Sequence, residues 1–166
     1  MVDTVAQSTS VSTAGNRASV MLDIVSLAAR LGMAAVWMVT GYRKLQHPLQ
    51  TKQAVNAYEI LPKDLVPPLA AGLPAFEIAL GILLLLGIFV RPVAVISLGV
   101  LAVFLCAIVS AWARGLSIDC GCFGGGGVNP HAGPATYVKD IVRDLGFVAL
   151  SVWIVWRPCR RFAMHP

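Results

Sequence analysis

Charge is what this chain has least of. Of its 166 residues only 13% are Asp, Glu, Lys or Arg, against roughly 25% in an ordinary soluble domain. The apolar fraction is 57% and the mean hydropathy +0.76, a balance that argues against a soluble globular enzyme. Cysteine is scarce, four in all, and only Cys120 and Cys122 stand close together. No GxGxxG in a nucleotide-binding context and no haem-attachment motif is present, so a flavin, a nicotinamide or a covalent haem has no support. Nor is there a basic helix interleaved with aromatic residues. The formal charge of +5 and the pI near 9.3 are therefore assigned to Lys and Arg at membrane helix ends, not to nucleic-acid binding. No internal repeat is found.

What the chain does have is long apolar runs. Four are long enough to cross a bilayer, which takes about 20 residues in a helix: Val20–Tyr42, Leu69–Val90, Val93–Ala113 and Ala135–Trp156. Backbone groups find no water in lipid, so each run is expected to be helical. The predicted fold is an all-α membrane protein, a four-transmembrane-helix bundle. Residues 1–19 read as a disordered N-terminal tail, 20–157 as the membrane domain and 158–166 as a cytoplasmic tail. The tail lacks the composition of a signal or transit peptide, which leaves the first apolar segment as an uncleaved targeting signal. Between helices 1 and 2, Pro48 can start a short helix with Ala54, Val55, Tyr58 and Leu61 on one face, expected to be amphipathic and to lie on the membrane surface. Arg91-Pro92 reads as the tight turn that makes the second and third membrane helices antiparallel neighbours. Trp37, Trp112, Trp153 and Trp156 are assigned to the interfacial aromatic belt.

Four crossings place both termini on one side. Arg157, Arg160, Arg161, Arg91 and Arg17 argue that this side is cytoplasmic, while Arg43, Lys44, Lys52 and Lys63 in the first connector nearly balance them. A paired-cysteine loop is of more use on the oxidising side, and this consideration places Cys120 and Cys122 outside.

The loop itself reads Asp119-Cys120-Gly121-Cys122-Phe123 followed by four glycines, Gly124–Gly127. It stands where a hydrophobic helix meets water, as thiol–disulfide chemistry at a membrane surface requires. A disulfide across a single intervening residue closes a short, strained ring, which favours reduction by a partner's dithiol through a mixed disulfide. Two other readings stay open. One is a structural disulfide. The other is half of a metal site that His131 and His47 would complete, although structural zinc wants four ligands. Cys106 lies fourteen residues earlier, roughly 20 Å along a helix, and is expected to be buried as a small hydrophobe. Cys159 is expected to face the cytoplasm.

Ionisable groups at membrane depth cost about 2.5–3.5 kcal/mol each at the centre unless paired or wet. Arg30, Glu77, Arg143 and Asp144 are such groups, and a mutual network inside the bundle would relieve most of that cost. Asp140 and Arg143, three apart, can pair along one helix face. The network serves either helix register or a proton or quinone site for the cysteines.

Three stretches, Gly41-Tyr42-Arg43-Lys44-Leu45, then Leu73-Pro74-Ala75-Phe76-Glu77 running into Leu84-Leu85-Leu86-Gly87, and finally Ile118-Asp119-Cys120-Gly121-Cys122-Phe123-Gly124, resemble the MauE family. These are methylamine-utilisation integral membrane proteins related to the DoxX-like four-helix proteins. The likeness spans roughly Arg30 to Trp156, and the Cys-Gly-Cys-Phe-Gly loop is its specific part. The resemblance implies a multi-pass protein of the bacterial cytoplasmic membrane. It also implies a thioredoxin-like or DsbA-like partner and an exported, thiol-containing substrate such as the methylamine dehydrogenase small subunit. Two alternatives come with it: a DoxX-like subunit of a quinone-linked oxidoreductase, with quinone as its cofactor, and a non-enzymatic assembly or anchor subunit.

Overall fold

Proline and glycine punctuate the helices much as the apolar runs suggest. The computed structural model describes residues 2–121 and 126–158, with side chains from Ser19 onward. Cys122, Cys159 and most of the C-terminal tail lie outside the described residues. The described residues form five helices, α1 (Val2–Gln46), α2 (Pro48–Ala57), α3 (Val66–Leu86), α4 (Val90–Ala113) and α5 (Pro134–Trp156), with one two-stranded ladder between α4 and α5. Its strands are β1 (Ile118–Asp119) and β2 (Gly127–Val128), antiparallel with Ile118 opposite Val128. That ladder is a small departure from the expected all-α fold. The backbone of α1 is helical back to Val2.

Pro48 opens α2 and Pro134 opens α5, positions where the missing N–H costs nothing. α3 stops at Gly87, in the left-handed region at φ 71°. The Gly87 amide reaches Leu84 O (3.3 Å) and the Ile88 amide reaches Leu83 O (3.1 Å), the two bonds of a Schellman stop. The turn into α4 is therefore Gly87–Phe89. Arg91-Pro92, expected to make that turn, instead lies in the first turn of α4, where proline is tolerated.

Among the described residues three helical stretches are long and apolar enough to cross a membrane: Ser19–Gln46, Val66–Leu86 and Val90–Ala113. α5 has the length, with 23 residues, but its first half carries Lys139, Asp140, Arg143 and Asp144. α1, α3 and α4 turn large apolar side chains outward, among them Leu31, Val39, Leu85, Val95 and Val109. Faces of this kind, on helices of this length, are those that meet lipid.

Inside, α1 packs most extensively on α3, α4 on α5, and α1 on α5. Gly41 and Gly81 let the first pair close up. A Cβ at Gly41 would stand 2.9 Å from Pro74 O, and one at Gly81 would stand 2.7 Å from Met38 Cγ and 3.1 Å from Ala34 O. Small residues at such seams let membrane helices approach backbone to backbone. Met33, Trp37, Leu84, Ala94 and Ile154 form the centre of the core. Two hydrogen bonds cross it, Trp37 Nε1 to Ser97 Oγ (3.1 Å) and Trp153 Nε1 to Ser26 Oγ (3.2 Å). Trp37 is thus a core residue, 2% exposed, and not part of an interfacial belt. It sits mid-helix, and its indole N–H finds a partner on α4. Although α3 and α4 follow one another directly, they touch far less than α1 and α3 do.

Candidate functional site

The cysteine loop is held from several sides. α4 ends at Ala113, and a second buried cluster of Ile108, Ala111, Ile118 and Tyr137 ties its end to β1 and α5. Tyr137 Oη donates to Leu116 O and accepts from the Ile118 amide (3.2 Å), and its ring stacks on Trp112 with centroids 6.0 Å apart. Asn129 Nδ2 donates to Asp119 Oδ1 (2.9 Å), while the Asn129 amide bonds Ser117 O (2.8 Å). The returning strand presses against α2 so closely that a Cβ at Gly126 would stand 2.6 Å from the Ala54 Cβ. At the end of β1, Tyr58 Oη donates to Cys120 O (3.0 Å), and Arg114 caps the Tyr58 carbonyl. Gly121 follows in the left-handed region at φ 72°, which a side chain at this position would disfavour.

Cys120 is half-buried. Its sulfur stands 3.7 Å from an Arg143 guanidinium nitrogen, a long contact for N–H···S. Arg143 in turn holds Asp140 (2.8 Å) and Asp144 (2.9 Å). A guanidinium beside a thiol is the kind of neighbour that stabilises a thiolate. With two carboxylates on the same guanidinium, its positioning of the sulfur counts for more than its net field.

Deeper in the bundle Lys44 pairs with Glu77, both buried. Lys44 Nζ also lies 5.3 Å from the centre of the Phe104 ring, a cation–π arrangement. Glu77 Oε2 and Asp144 Oδ2 are buried and make no hydrogen bond among the described residues. Both residues, with Lys44, line a small cavity of about 20 Å³. Of the four charged residues expected to form one network, Glu77 and Asp144 therefore share a cavity, and Arg143 joins through Asp144. Arg30, buried on α1, is fourteen residues and about 21 Å of helix axis from Lys44, at another level of the bundle. Lys44, counted from the sequence among the charges of the first connector, is the partner that the expected network lacked.

A far larger cavity of about 660 Å³ lies between α2, α3, α4 and the cysteine loop. Leu73, Phe76, Val100 and Phe104 are among its apolar walls, with Cys120 at the loop and Lys44 on the α1 side. Cys106, expected to be buried, is exposed on α4. On a lipid-facing helix the outer surface is as apolar an environment for a thiol as a protein core. Among the described residues no three His, Cys, Asp or Glu side chains gather at metal-binding range.

The arrangement joins a half-buried thiol, a guanidinium, a buried charged cluster and an apolar cavity inside apolar helices. The family model described as "Methylamine utilisation protein MauE" matches residues 22–157, most of the chain. The chain belongs to the MauE family. No curated protein and no solved structure matches it. Membership makes it a multi-pass membrane protein associated, at family level, with methylamine utilisation. The matched stretch runs from the first membrane helix through the cysteine loop to the end of α5, so this MauE chain carries the whole site within its family region.

Proposed function

We propose that this MauE chain is a membrane component of thiol–disulfide exchange. In this reading Cys120 and Cys122 oxidise a thioredoxin-like or DsbA-like partner, which in turn matures an exported, thiol-containing protein. The observation that carries it is the setting of Cys120: half-exposed, its carbonyl held by Tyr58 and its sulfur beside Arg143. A structural clip has no need of a guanidinium that positions the sulfur or of a left-handed glycine directly after Cys120.

The finer topology belongs to the same proposal. α5 is a fourth crossing, because Asp144 is buried and Arg143 is neutralised by Asp140 and Asp144, so its net charge at depth is smaller than its composition suggests. α2 lies along the membrane surface with Thr51 and Ala54 turned inward, as a lid over α3 and the cysteine loop. The termini face the cytoplasm of a bacterial cell, and the loop faces the oxidising side.

The test is thiol trapping in native membranes with a membrane-impermeant alkylating reagent, before and after mild reduction, beside Cys122→Ser. Labelling from outside only after reduction is the expected result. Labelling without reduction that a chelator increases would point to a metal site. No labelling until the membrane is broken would overturn both the orientation and the proposal.

A further inference from the structure

We infer that the 660 Å³ cavity between α2, α3 and α4 seats a lipophilic quinone, which accepts the electrons that the cysteine pair takes from its partner. The inference rests on the thiol-exchange reading and adds the acceptor that this reading needs. Its volume is that of a small-molecule site, typically about 300–1,000 Å³, and its walls are almost wholly apolar. Three of its lining residues, Phe76 on α3 and Ile96 and Val103 on α4, are exposed; with these helices set in lipid, a ligand dissolved in the bilayer reaches it without crossing water.

Two chemical groups in this apolar wall select the occupant. The Cys120 sulfur end of the loop supplies electrons. On the α1 side Lys44, whose ammonium has three donors, gives one to Glu77 and keeps capacity for a carbonyl oxygen. A plain acyl chain makes use of neither group. A quinone, with a flat apolar ring, carbonyl acceptors and an apolar tail, uses both.

The step balances without another reagent. A partner dithiol first reduces the Cys120–Cys122 disulfide. The resulting dithiol then loses two electrons and two protons: two S–H bonds break, one S–S bond forms, and the two quinone oxygens become the hydroxyls of a quinol. Asp144, beside Arg143 near the sulfur, shares the small cavity with Glu77 and Lys44. Their unpartnered carboxylate oxygens, in a cavity that shares Lys44 and Phe104 with the quinone wall, serve as carriers for those protons.

The experiment uses the full chain in lipid nanodiscs, with decylubiquinone as probe. Gly99 lines the cavity, and a Cβ there meets nothing within 4 Å, so Gly99→Leu fills the cavity without disturbing the backbone. Val103→Phe, at an exposed cavity residue, is the second variant. Three quantities are read: displacement of a photoreactive quinone, quinone reduction driven by a reduced dithiol peptide, and a single turnover of thiol exchange trapped by alkylation. The expected result is that both variants lose about tenfold or more in binding and quinone reduction, as size exclusion in an apolar pocket does, while single-turnover exchange is unchanged. Equal binding and turnover in wild type and both variants would overturn the inference, as would displacement of the photoprobe by a saturated phospholipid as readily as by decylubiquinone. Quinone binding that the variants weaken, beside cysteines inert to exchange, would support the seat and sink the thiol reading instead.

Discussion

Two helix pairs in this bundle are built on opposite rules. α1 and α3 are separated in sequence by a connector and a whole extra helix, yet they meet almost backbone to backbone at Gly41 and Gly81. α3 and α4 are separated by three turn residues and yet leave a 660 Å³ cavity between them. Proximity in sequence is not what closes a membrane seam. With lipid as apolar as the side chains, helices associate by close packing and polar contacts. α3 sets Gly81 against α1, and α1 sets Gly41 against α3. α4 presents Gly99, Val100 and Val103 toward the gap, where nothing interlocks. A closed seam holds the frame, and an open one leaves room for a ligand.

The Lys44–Glu77 pair joins the two regions. The Glu77 Cβ would lie 3.2 Å from a Cβ at Gly41, and Lys44 reaches the wall of the gap. Removing one partner of a buried pair leaves a bare charge, at a cost of about 3–5 kcal/mol. Glu77→Ala is therefore expected to be the most damaging single change, shown by loss of the folded population in detergent unfolding. Glu77→Ala combined with Lys44→Met should recover much of that loss. Failure of the double variant to recover would mean that the carboxylate serves the seam by shape and not by charge.

Next comes the seam itself. Gly41→Ala puts a methyl group 2.9 Å from the Pro74 carbonyl and 2.7 Å from the Ile78 Cγ1. The side chain can swing away, but the carbonyl belongs to the backbone, so the helices must part. Overpacking of this sort costs about 1–3 kcal/mol, to be read as a lower midpoint in the same unfolding assay. An unchanged midpoint would show that the seam tolerates slack.

How much of this was legible beforehand follows the same division. The helices were, because apolar runs opened by Pro48, Pro67 and Pro134 carry their own start signals. The place of Cys120 between two apolar helices was legible too, while Cys122 lies outside the described residues. The turn at Gly87–Phe89 was misplaced because Arg91-Pro92 looks like a breaker, although proline in a first helical turn breaks nothing. Lys44 was missed for a geometric reason. A simple hairpin would set Lys44, near the end of α1, opposite the start of α3, but α2 takes up that space and α3 begins beside it. The level with Glu77 is thus some eleven residues into α3. The cavity left no mark, because the apolar residues that line it look the same as those that face lipid.

A smaller effect is expected at the loop. Tyr58→Phe removes the hydrogen bond to the Cys120 carbonyl, worth about 0.5–1.5 kcal/mol, without touching either helix seam. The global midpoint should barely move, while alkylation of Cys120 under reducing conditions should speed up severalfold, by roughly that energy in loop opening. Unchanged alkylation would mean that the ladder and Arg143 hold the loop without Tyr58.

The smallest effect makes the sharpest comparison. Gly99→Ala is the same substitution as Gly41→Ala, in the middle of a helix of the same bundle, and it is expected to act with the opposite sign. At Gly99 the added methyl meets nothing within 4 Å, so no packing penalty arises. Glycine in a helix interior is about 0.5–1 kcal/mol worse than alanine in water, and lipid, which leaves the backbone no alternative to helix, shrinks that difference further. A midpoint unchanged or slightly raised is the expected outcome, with decylubiquinone binding retained because one methyl group occupies little of the cavity. A fall comparable to that of Gly41→Ala would mean that α3 and α4 close against one another in the membrane. The gap would then be a seam, and no room would remain in it for a quinone.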